Sequence, residues 1–65
     1  MNHDELQGKW KQLKGKAQQH WGKITDDEWD RAQGSSEELE GIIQEKYGKS
    51  KAEAKQEVNS WLEKL

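Results

Sequence analysis

Residues 8–23 read GKWKQLKGKAQQHWGK, and this stretch decides the fold. Apolar residues recur in and around it at spacings of four, three, four and four, which places them on one stripe of an α-helix. Glycine, however, returns every seven residues, although only proline is a poorer helix former. The stretch therefore predicts an amphipathic helix whose glycines need a separate explanation. The stripe comprises Leu6, Trp10, Leu13, Ala17 and Trp21, and the glycines are Gly8, Gly15 and Gly22.

The composition limits the core that these 65 residues can build. Charged residues make up 37% of the chain, and the mean hydropathy is −1.42. Four tryptophans and one tyrosine nevertheless supply large areas for burial, which disordered chains lack. Because cysteine is absent, neither a disulfide framework nor a thiolate metal site supports the fold. We expect residues 1–65 to form one small domain that is held by helix packing alone.

The chain also contains no long apolar run. Its start, MNHDELQGKW, has neither an apolar signal region nor a small-residue cleavage site. A transmembrane helix needs about 18 or more apolar residues in succession, and no such run occurs. We therefore expect a cytoplasmic protein without a transmembrane segment.

Helix-start and helix-stop signals predict an array of about four helices. We expect Asn2 or Asp4 to cap the first helix and Gly22 to end it in the left-handed conformation. Gly34 and Gly48 are the later stops, and the sequence leaves open whether the second and third helices are separate. The predicted capping boxes pair Thr25 with Glu28, Ser35 with Glu38 and Ser50 with Glu53. Ile24 and Trp29 are expected to form a hydrophobic staple. The later stripes are Leu39, Ile42, Ile43 and Tyr47, and then Ala54, Val58, Trp61, Leu62 and Leu65.

The glycine spacing repeats at an offset of 26 residues. Gly34, Gly41 and Gly48 stand in the second half where Gly8, Gly15 and Gly22 stand in the first. Each half then reads as a helix, a glycine stop and a second capped helix. The repeat predicts an all-α bundle of two packed helical hairpins, with an approximate internal duplication. The other matched pairs are Leu13 with Leu39, Gln18 with Gln44, Trp21 with Tyr47 and Lys23 with Lys49.

Several short motifs occur in a fixed order between Asp4 and Trp61. They are GKWKQLKGK, WGKITDD, the glycine run that ends in YG at residue 48, and K-x-E-A-x-x-x-V-x-x-W from residue 51. In this order and spacing, the sequence resembles the CsbD-like family of small bacterial stress-response proteins. The resemblance implies a short, very hydrophilic helical protein that accumulates under general stress. It implies no reaction.

Clustered acids and histidines form catalytic or metal sites in many proteins, but in this sequence they have structural explanations. The acids among residues 26–30 fall in the first turn of a predicted helix, where the helix dipole favours them. His3 and His20 lack the spacing of metal ligands, so we expect surface histidines, with His20 interacting with the dipole of the helix end. No nucleophile triad, phosphate-binding loop or dinucleotide motif occurs. We expect no enzyme, no catalytic residue, no cofactor and no metal.

Charge is distributed unevenly along the chain. The net charge is +3 over residues 1–23, −7 over residues 24–45 and +2 over residues 46–65. A basic first helix with tryptophans is compatible with weak, salt-dependent binding of nucleic acid or an anionic surface, and this is the alternative function. The favoured interpretation is that the lysines cover the apolar stripe with their stems and are attracted to the acidic middle. They flank the stripe as Lys9 and Lys16 on one side and Lys11 and Lys14 on the other.

Gly8, Gly15 and Gly41 lie opposite the apolar stripes of their helices, by the rotation of 100° per residue. In an exposed helix interior each costs about 1 kcal/mol relative to alanine. Three explanations of these glycines are open: they form a contact surface for another backbone, they keep the helices marginally stable, or they are merely tolerated. The hydrophilic composition favours marginal stability. We therefore expect a stress-response protein that acts through contacts with an unknown protein partner or through protective solvation. We expect it to be a monomer or a weak oligomer.

Overall fold

Four α-helices contain most of residues 3–65, the part of the chain that the computed structural model describes. Their bounds are α1 His3–His20, α2 Asp26–Ala32, α3 Ser36–Tyr47 and α4 Lys51–Glu63. Residues 3–65 contain no strand. Each helix packs on the next one in the chain, so that α1 and α2 form one hairpin and α3 and α4 the other. The all-α bundle of two hairpins is confirmed, and the second and third helices are separate.

Side-chain caps start the later helices as predicted. At α2, Thr25 Oγ1 accepts the Glu28 amide proton at 3.2 Å, while the Glu28 carboxylate accepts the Thr25 amide proton at 3.0 Å. The same reciprocal box joins Ser50 and Glu53 at the start of α4. Each cap satisfies amide groups that have no partner within the helix.

Two of the predicted starts differ from the structure. At α3, Ser35 Oγ accepts a hydrogen bond from the Glu38 amide at 3.3 Å, but within this described segment the Ser35 amide donates to Ala32 O and not to the Glu38 carboxylate. The Asp4 cap is wrong, because α1 already begins at His3 and Asp4 lies in its first turn. Asn2, the other predicted cap, and the side chain of His3 lie outside the described residues.

The ends of α1 and α3 are built differently. Gly48 follows α3 with a φ of +64°, the left-handed conformation that its position predicts. Gly22 is not left-handed, so that prediction is wrong. The Trp21 amide still bonds to Ala17 O at 2.7 Å, and the Ile24 amide closes a turn on Trp21 O at 3.1 Å. This loop has residues 21–24 before its cap, whereas the loop after α3 has only residues 48–49, and the longer loop turns without a left-handed residue.

Gly34 is the glycine that the packing requires. It follows Gln33, which ends α2 with a φ of +53°, and its own φ is +82°. A Cβ at Gly34 would lie 2.7 Å from the Cα of Gln7 in α1. The turn between the hairpins therefore needs glycine both for its conformation and for its close approach to α1.

The core is centred on a chain of four tryptophan rings. Trp10 from α1 and Trp29 from α2 stack in parallel, with ring centroids 3.6 Å apart. Each indole N–H donates to the other residue's carbonyl oxygen, at 2.5 Å from Trp10 and 2.7 Å from Trp29. Trp61 from α4 meets Trp29 edge-on at 6.1 Å and Trp21 at 5.0 Å. The rings thus connect both hairpins.

The predicted stripes supply the rest of the core. All five residues of the first stripe are buried, as are the three aliphatic residues that α3 contributes. Tyr47 and Leu62 are half-buried at the edge of the core. Leu65 is 40% exposed, so its assignment to the fourth stripe is wrong. The helix ends at Glu63, and the helical spacing no longer directs a residue beyond that point towards the core.

Candidate interaction surface

The acidic residues at the start of α2 connect that helix to its neighbours. Glu28, besides its cap, accepts a bond from Lys46 Nζ of α3 at 2.8 Å. Asp30 pairs with Lys14 of α1 at 2.9 Å. Asp26 Oδ1 accepts a hydrogen bond from Gln18 Nε2, also of α1, at 2.6 Å. These contacts give three of the four acids structural roles, but only Glu28 takes part in the predicted cap, and the contacts of the other two with α1 were not predicted. The three acids with such contacts are Asp26, Glu28 and Asp30, and the fourth, Asp27, is exposed.

Glu28 combines the cap of α2 with an ion pair to α3. Its bond with Lys46, followed by the amide proton of Thr25, lowers the pKa of Glu28 to about 2. A carboxyl whose pKa is depressed by folding stabilises the native state above its unfolded pKa, and that contribution is lost as the pH falls through the folded value. The contribution of Glu28 is therefore present at neutral pH and disappears between about pH 4.5 and about pH 2.

Replacement of Lys46 by alanine should raise the pKa of Glu28 towards its ordinary value, because the largest cause of the depression is removed. The carboxyl chemical shift of Glu28, followed by NMR through an acid titration, measures this pKa directly. The matched control is Lys64→Ala, which removes a lysine that is not paired with Glu28. An unchanged midpoint in Lys46→Ala would contradict the assigned ion pair.

The lysines of α1 lie on both flanks of its buried stripe. Lys9, Lys11 and Lys16 are exposed, whereas Lys14 is half-buried against Asp30. The hydrogen bond to Asp30 raises the pKa of Lys14 and keeps it charged. The attraction between the basic first helix and the acidic middle is therefore realised in one specific pair.

Glu57 of α4 collects polar contacts from the end of the first hairpin and from the loop that precedes its own helix. One carboxylate oxygen accepts the Trp21 indole proton at 2.6 Å, and the other is bonded to Lys49 Nζ. The bond with Lys49, supported by the indole proton and opposed by burial, lowers the pKa of Glu57. His20 Nε2 lies 4.0 Å from the carboxylate. The imidazole packs edge-on against Trp21 and its side chain is 47% exposed, which agrees with the predicted surface histidine.

Sequence reasoning missed Glu57 as a contact point. Its spacing of four residues from Trp61 places it on the flank of the α4 stripe, and this was the available signal. This position does not distinguish Glu57 from other glutamates on helix flanks, because its partner Trp21 lies at the end of α1, far away in the sequence.

The two hairpins exchange aromatic contacts at positions related by the repeat. Trp21 of the first hairpin donates to Glu57 of the second. Tyr47, its counterpart, accepts the backbone amide proton of Lys23 in the first hairpin at 3.1 Å. The Lys23 ammonium also lies 5.2 Å from the centre of the Tyr47 ring. The internal duplication therefore produces a reciprocal joint between the hairpins.

The glycines opposite the stripes face open space. Gly8, Gly15 and Gly41 are all exposed. A Cβ built at any of them would have no atom within 4 Å, apart from the neighbouring backbone of its own helix. Their predicted position away from the core is confirmed, and no other described part of the chain packs on them.

A groove between α3 and α4 contains a residue that the sequence analysis did not identify. Glu40 of α3 is 7% exposed and lines this groove. Its spacing of three residues from the buried Ile43 indicated the inner flank of the helix, but a glutamate there is more often exposed. Other residues along the groove include Arg31, Glu37, Gly41, Lys51, Lys55 and Asn59.

Comparison with known proteins identifies the family. Residues 4–56, which are most of the chain, match the family described as CsbD-like. The chain belongs to the CsbD-like family. This CsbD-like chain is 52% identical to a UPF0337 protein of Bordetella pertussis over 64 residues, which cover 98% of the chain and 97% of that protein. It is 49% identical to a UPF0337 protein of Pseudomonas aeruginosa over the full length of both.

A further relative of the CsbD-like chain is the UPF0337 protein YjbJ of Escherichia coli K12. It is 49% identical over 61 residues, which cover 94% of this chain and 88% of that protein. These relatives carry no enzymatic name. No solved structure shows significant similarity to the chain. Among the helices described for this CsbD-like chain, none is both long and apolar enough to cross a membrane.

Proposed function

We propose that this CsbD-like chain is a non-enzymatic, hydrophilic stress-response protein of the cytoplasm, with residues 1–65 acting as one helical domain. It acts through protein contacts or protective solvation. The observation that carries the proposal is the open environment of Gly8, Gly15 and Gly41. Family membership supports the stress setting, and the polar surface supports a protective role.

The glycines matter because their cost is not recovered by packing. Each lowers helix stability by about 1 kcal/mol relative to alanine, so the three together cost roughly 3 kcal/mol. Small domains have a total stability of about 5 kcal/mol or less from their core. The helices are therefore held close to the threshold of order, where temperature, hydration and binding partners change their population.

Replacing all three glycines by alanine should raise the free energy of unfolding by about 2–3 kcal/mol, because alanine is the better helix former and has room at each site. Urea unfolding followed by far-UV circular dichroism measures this gain. Gln12→Ala, an exposed substitution on α1 that replaces no glycine, controls for the general effect of added alanine. A loss of stability in the triple variant would show that the glycines pack against another part of the protein.

The protective role is tested with a freeze-labile oligomeric enzyme as client. We expect the wild-type chain to preserve more client activity through freeze–thaw cycles than an equal mass of a compact inert protein. We expect the stabilised triple variant to protect less well, because its helices are less responsive to dehydration. If the wild-type chain gives no more protection than the inert protein, the proposed function is wrong.

A further inference from the structure

The turn between the two hairpins is short and conformationally unfavourable. Only residues 33–35 separate α2 from α3. Gln33 and Gly34 both have a positive φ, at +53° and +82°, and this conformation is costly for an L-residue such as Gln33. Gly34 also lies close to α1, since a Cβ there would be 2.7 Å from the Gln7 Cα. The bend that folds one hairpin onto the other is therefore strained and crowded.

Among the side-chain caps described for α2, α3 and α4, the one at this turn is the weakest. Ser35 Oγ accepts a hydrogen bond from the Glu38 amide at 3.3 Å without the reciprocal bond, whereas the boxes at Thr25 and Ser50 have both bonds. The backbone bonds from the Gln33 and Ser35 amides are local, and helical bonds would replace them if residues 33–35 became helical. Straightening the turn therefore sacrifices little besides one long cap bond.

The apolar residues of α2 and α3 are spaced as on one uninterrupted helix. From Trp29 they recur after three, seven, four and four residues, although the turn separates the second from the third. At about 100° per residue, a straight helix would place all five within an arc of about 80°. A turn imposes no such register on the helices that it joins, so this spacing favours a straightened form. The five residues are Trp29, Ala32, Leu39, Ile43 and Tyr47.

The contacts that join the hairpins pair a group of the first with a group of the second. They comprise one ion pair, two hydrogen bonds and two ring contacts. A second copy of the chain carries the same partners, so each of these contacts can form between two chains as well as within one. The pairs are Glu28 with Lys46, Trp21 with Glu57, Lys23 with Tyr47, and Trp61 with both Trp21 and Trp29.

We propose that two copies of this chain exchange hairpins to form a dimer. In each copy residues 33–35 become helical, α2 and α3 join into one helix over residues 26–47, and the first hairpin packs on the second hairpin of the other copy. The exchange keeps the contacts between hairpins and removes the strained turn, as is typical of domain swapping at short hinges. A helical Gly34 and the entropy of association oppose it, so the monomer prevails at high dilution. The dimer does not depend on the protective role.

Refolding at high concentration tests the exchange. Equal amounts of isotopically labelled and unlabelled full chain are mixed in urea, concentrated and returned to buffer, and the products are separated by size-exclusion chromatography with light scattering. We expect a species of twice the 7.6 kDa chain mass beside the monomer. Its fraction should rise with the protein concentration during refolding.

Zero-length carbodiimide crosslinking distinguishes exchange from side-by-side association. The reagent joins Lys46 to Glu28, whose ion pair connects the two hairpins at 2.8 Å. In an exchanged dimer about half of these crosslinked peptides should combine both isotopes, as random pairing of two subunits requires. Crosslinks between Lys14 and Asp30, which lie in the same hairpin, should contain a single isotope and are the internal control.

Ser36→Pro separates the two forms. In the monomer Ser36 is the first residue of α3, which suits proline, and Ser35 before it has the extended conformation that a following proline favours. In the dimer the same position lies inside the long helix, where proline removes a bond and clashes with the preceding turn. We expect a folded monomer and a dimer fraction lower by about tenfold or more. The matched control is Lys51→Pro, because α4 begins at this residue in both forms.

Gly34→Ala should act in the opposite direction. Alanine is unfavourable in the positive-φ turn beside Gln7 and favourable in a helix, so the dimer fraction should rise by about tenfold or more. The proposal is overturned if the wild type refolds only as a monomer, or if the Lys46–Glu28 crosslinks of the dimer contain a single isotope. It is also overturned if Ser36→Pro dimerises as the wild type does, or if Gly34→Ala does not increase the dimer fraction.

Discussion

The Trp10→Ala variant should be largely unfolded at room temperature. Trp10 is 4% exposed, and its ring stacks on Trp29 over a centroid distance of 3.6 Å. Truncation of a buried tryptophan costs about 3–5 kcal/mol, which is close to the whole stability of a domain this small. It also removes the indole donor of the Trp29 carbonyl and opens space beside the second indole.

Far-UV circular dichroism and urea unfolding measure the effect of this substitution. Trp10→Phe should be intermediate, because it keeps an aromatic ring but loses the hydrogen bond to Trp29. The matched control is Lys11→Ala, an exposed substitution one residue along α1, which should change stability by less than about 0.5 kcal/mol. If Trp10→Ala keeps a cooperative transition at nearly the wild-type urea concentration, the paired tryptophans do not hold the hairpin together.

Gly34→Ala is expected to have the second largest effect. The left-handed conformation costs an L-residue about 1–2 kcal/mol, and the new methyl group would lie 2.7 Å from the Gln7 Cα. Since the obstacle includes backbone, α1 must shift to make room, and overpacking of this kind adds about 1–3 kcal/mol. We expect a total loss of roughly 2–5 kcal/mol.

The comparison with Gly41→Ala makes the Gly34 prediction sharp. Both substitutions add one methyl group to glycines that the repeat places in the second half, but the site at Gly41 is open and helical. Gly41→Ala should therefore stabilise the protein, and Gly34→Ala should destabilise it, in the same urea-unfolding measurement. Opposite signs test the packing itself, because the change in composition is identical. A stabilised Gly34→Ala would mean that α1 does not approach this turn closely.

The amphipathic spacing was sufficient to predict most of the core. Trp10, Leu13 and Ala17 recur on one face, and a helix with such a face buries it. The capping boxes at Thr25 and Ser50 were equally local, since donor and acceptor lie three residues apart. Patterns within one helix therefore predicted the four elements and their buried sides.

Contacts between helices were beyond the reach of these patterns. The stacking of Trp10 on Trp29 depends on how far two stripes slide past each other, which periodicity does not determine. Gly22 and Gly48 occupy matching positions in the repeat, but the first loop spans residues 21–25 and the second only 48–50, and only Gly48 is left-handed. Gly34 differs from the other glycines only because α1 approaches it.

The candidate groove was hidden for the same reason. Glu40 sits among other glutamates in an acidic stretch, and nothing local marks it as the buried one. Its burial follows from the packing of α3 on α4, which places the flank of α3 inside the groove. The sequence thus contained the charge of this surface, but it did not show which of the glutamates the packing covers.

Each helix packs on its neighbour along the chain, and this order has a consequence for the rate of folding. Contacts between elements that are close in sequence require little loop closure, and helical bundles of this kind fold in about microseconds to milliseconds. The sequence contains no proline, so refolding does not wait for prolyl isomerisation. With the marginal stability proposed above, the chain would lose its structure and regain it within about microseconds to milliseconds.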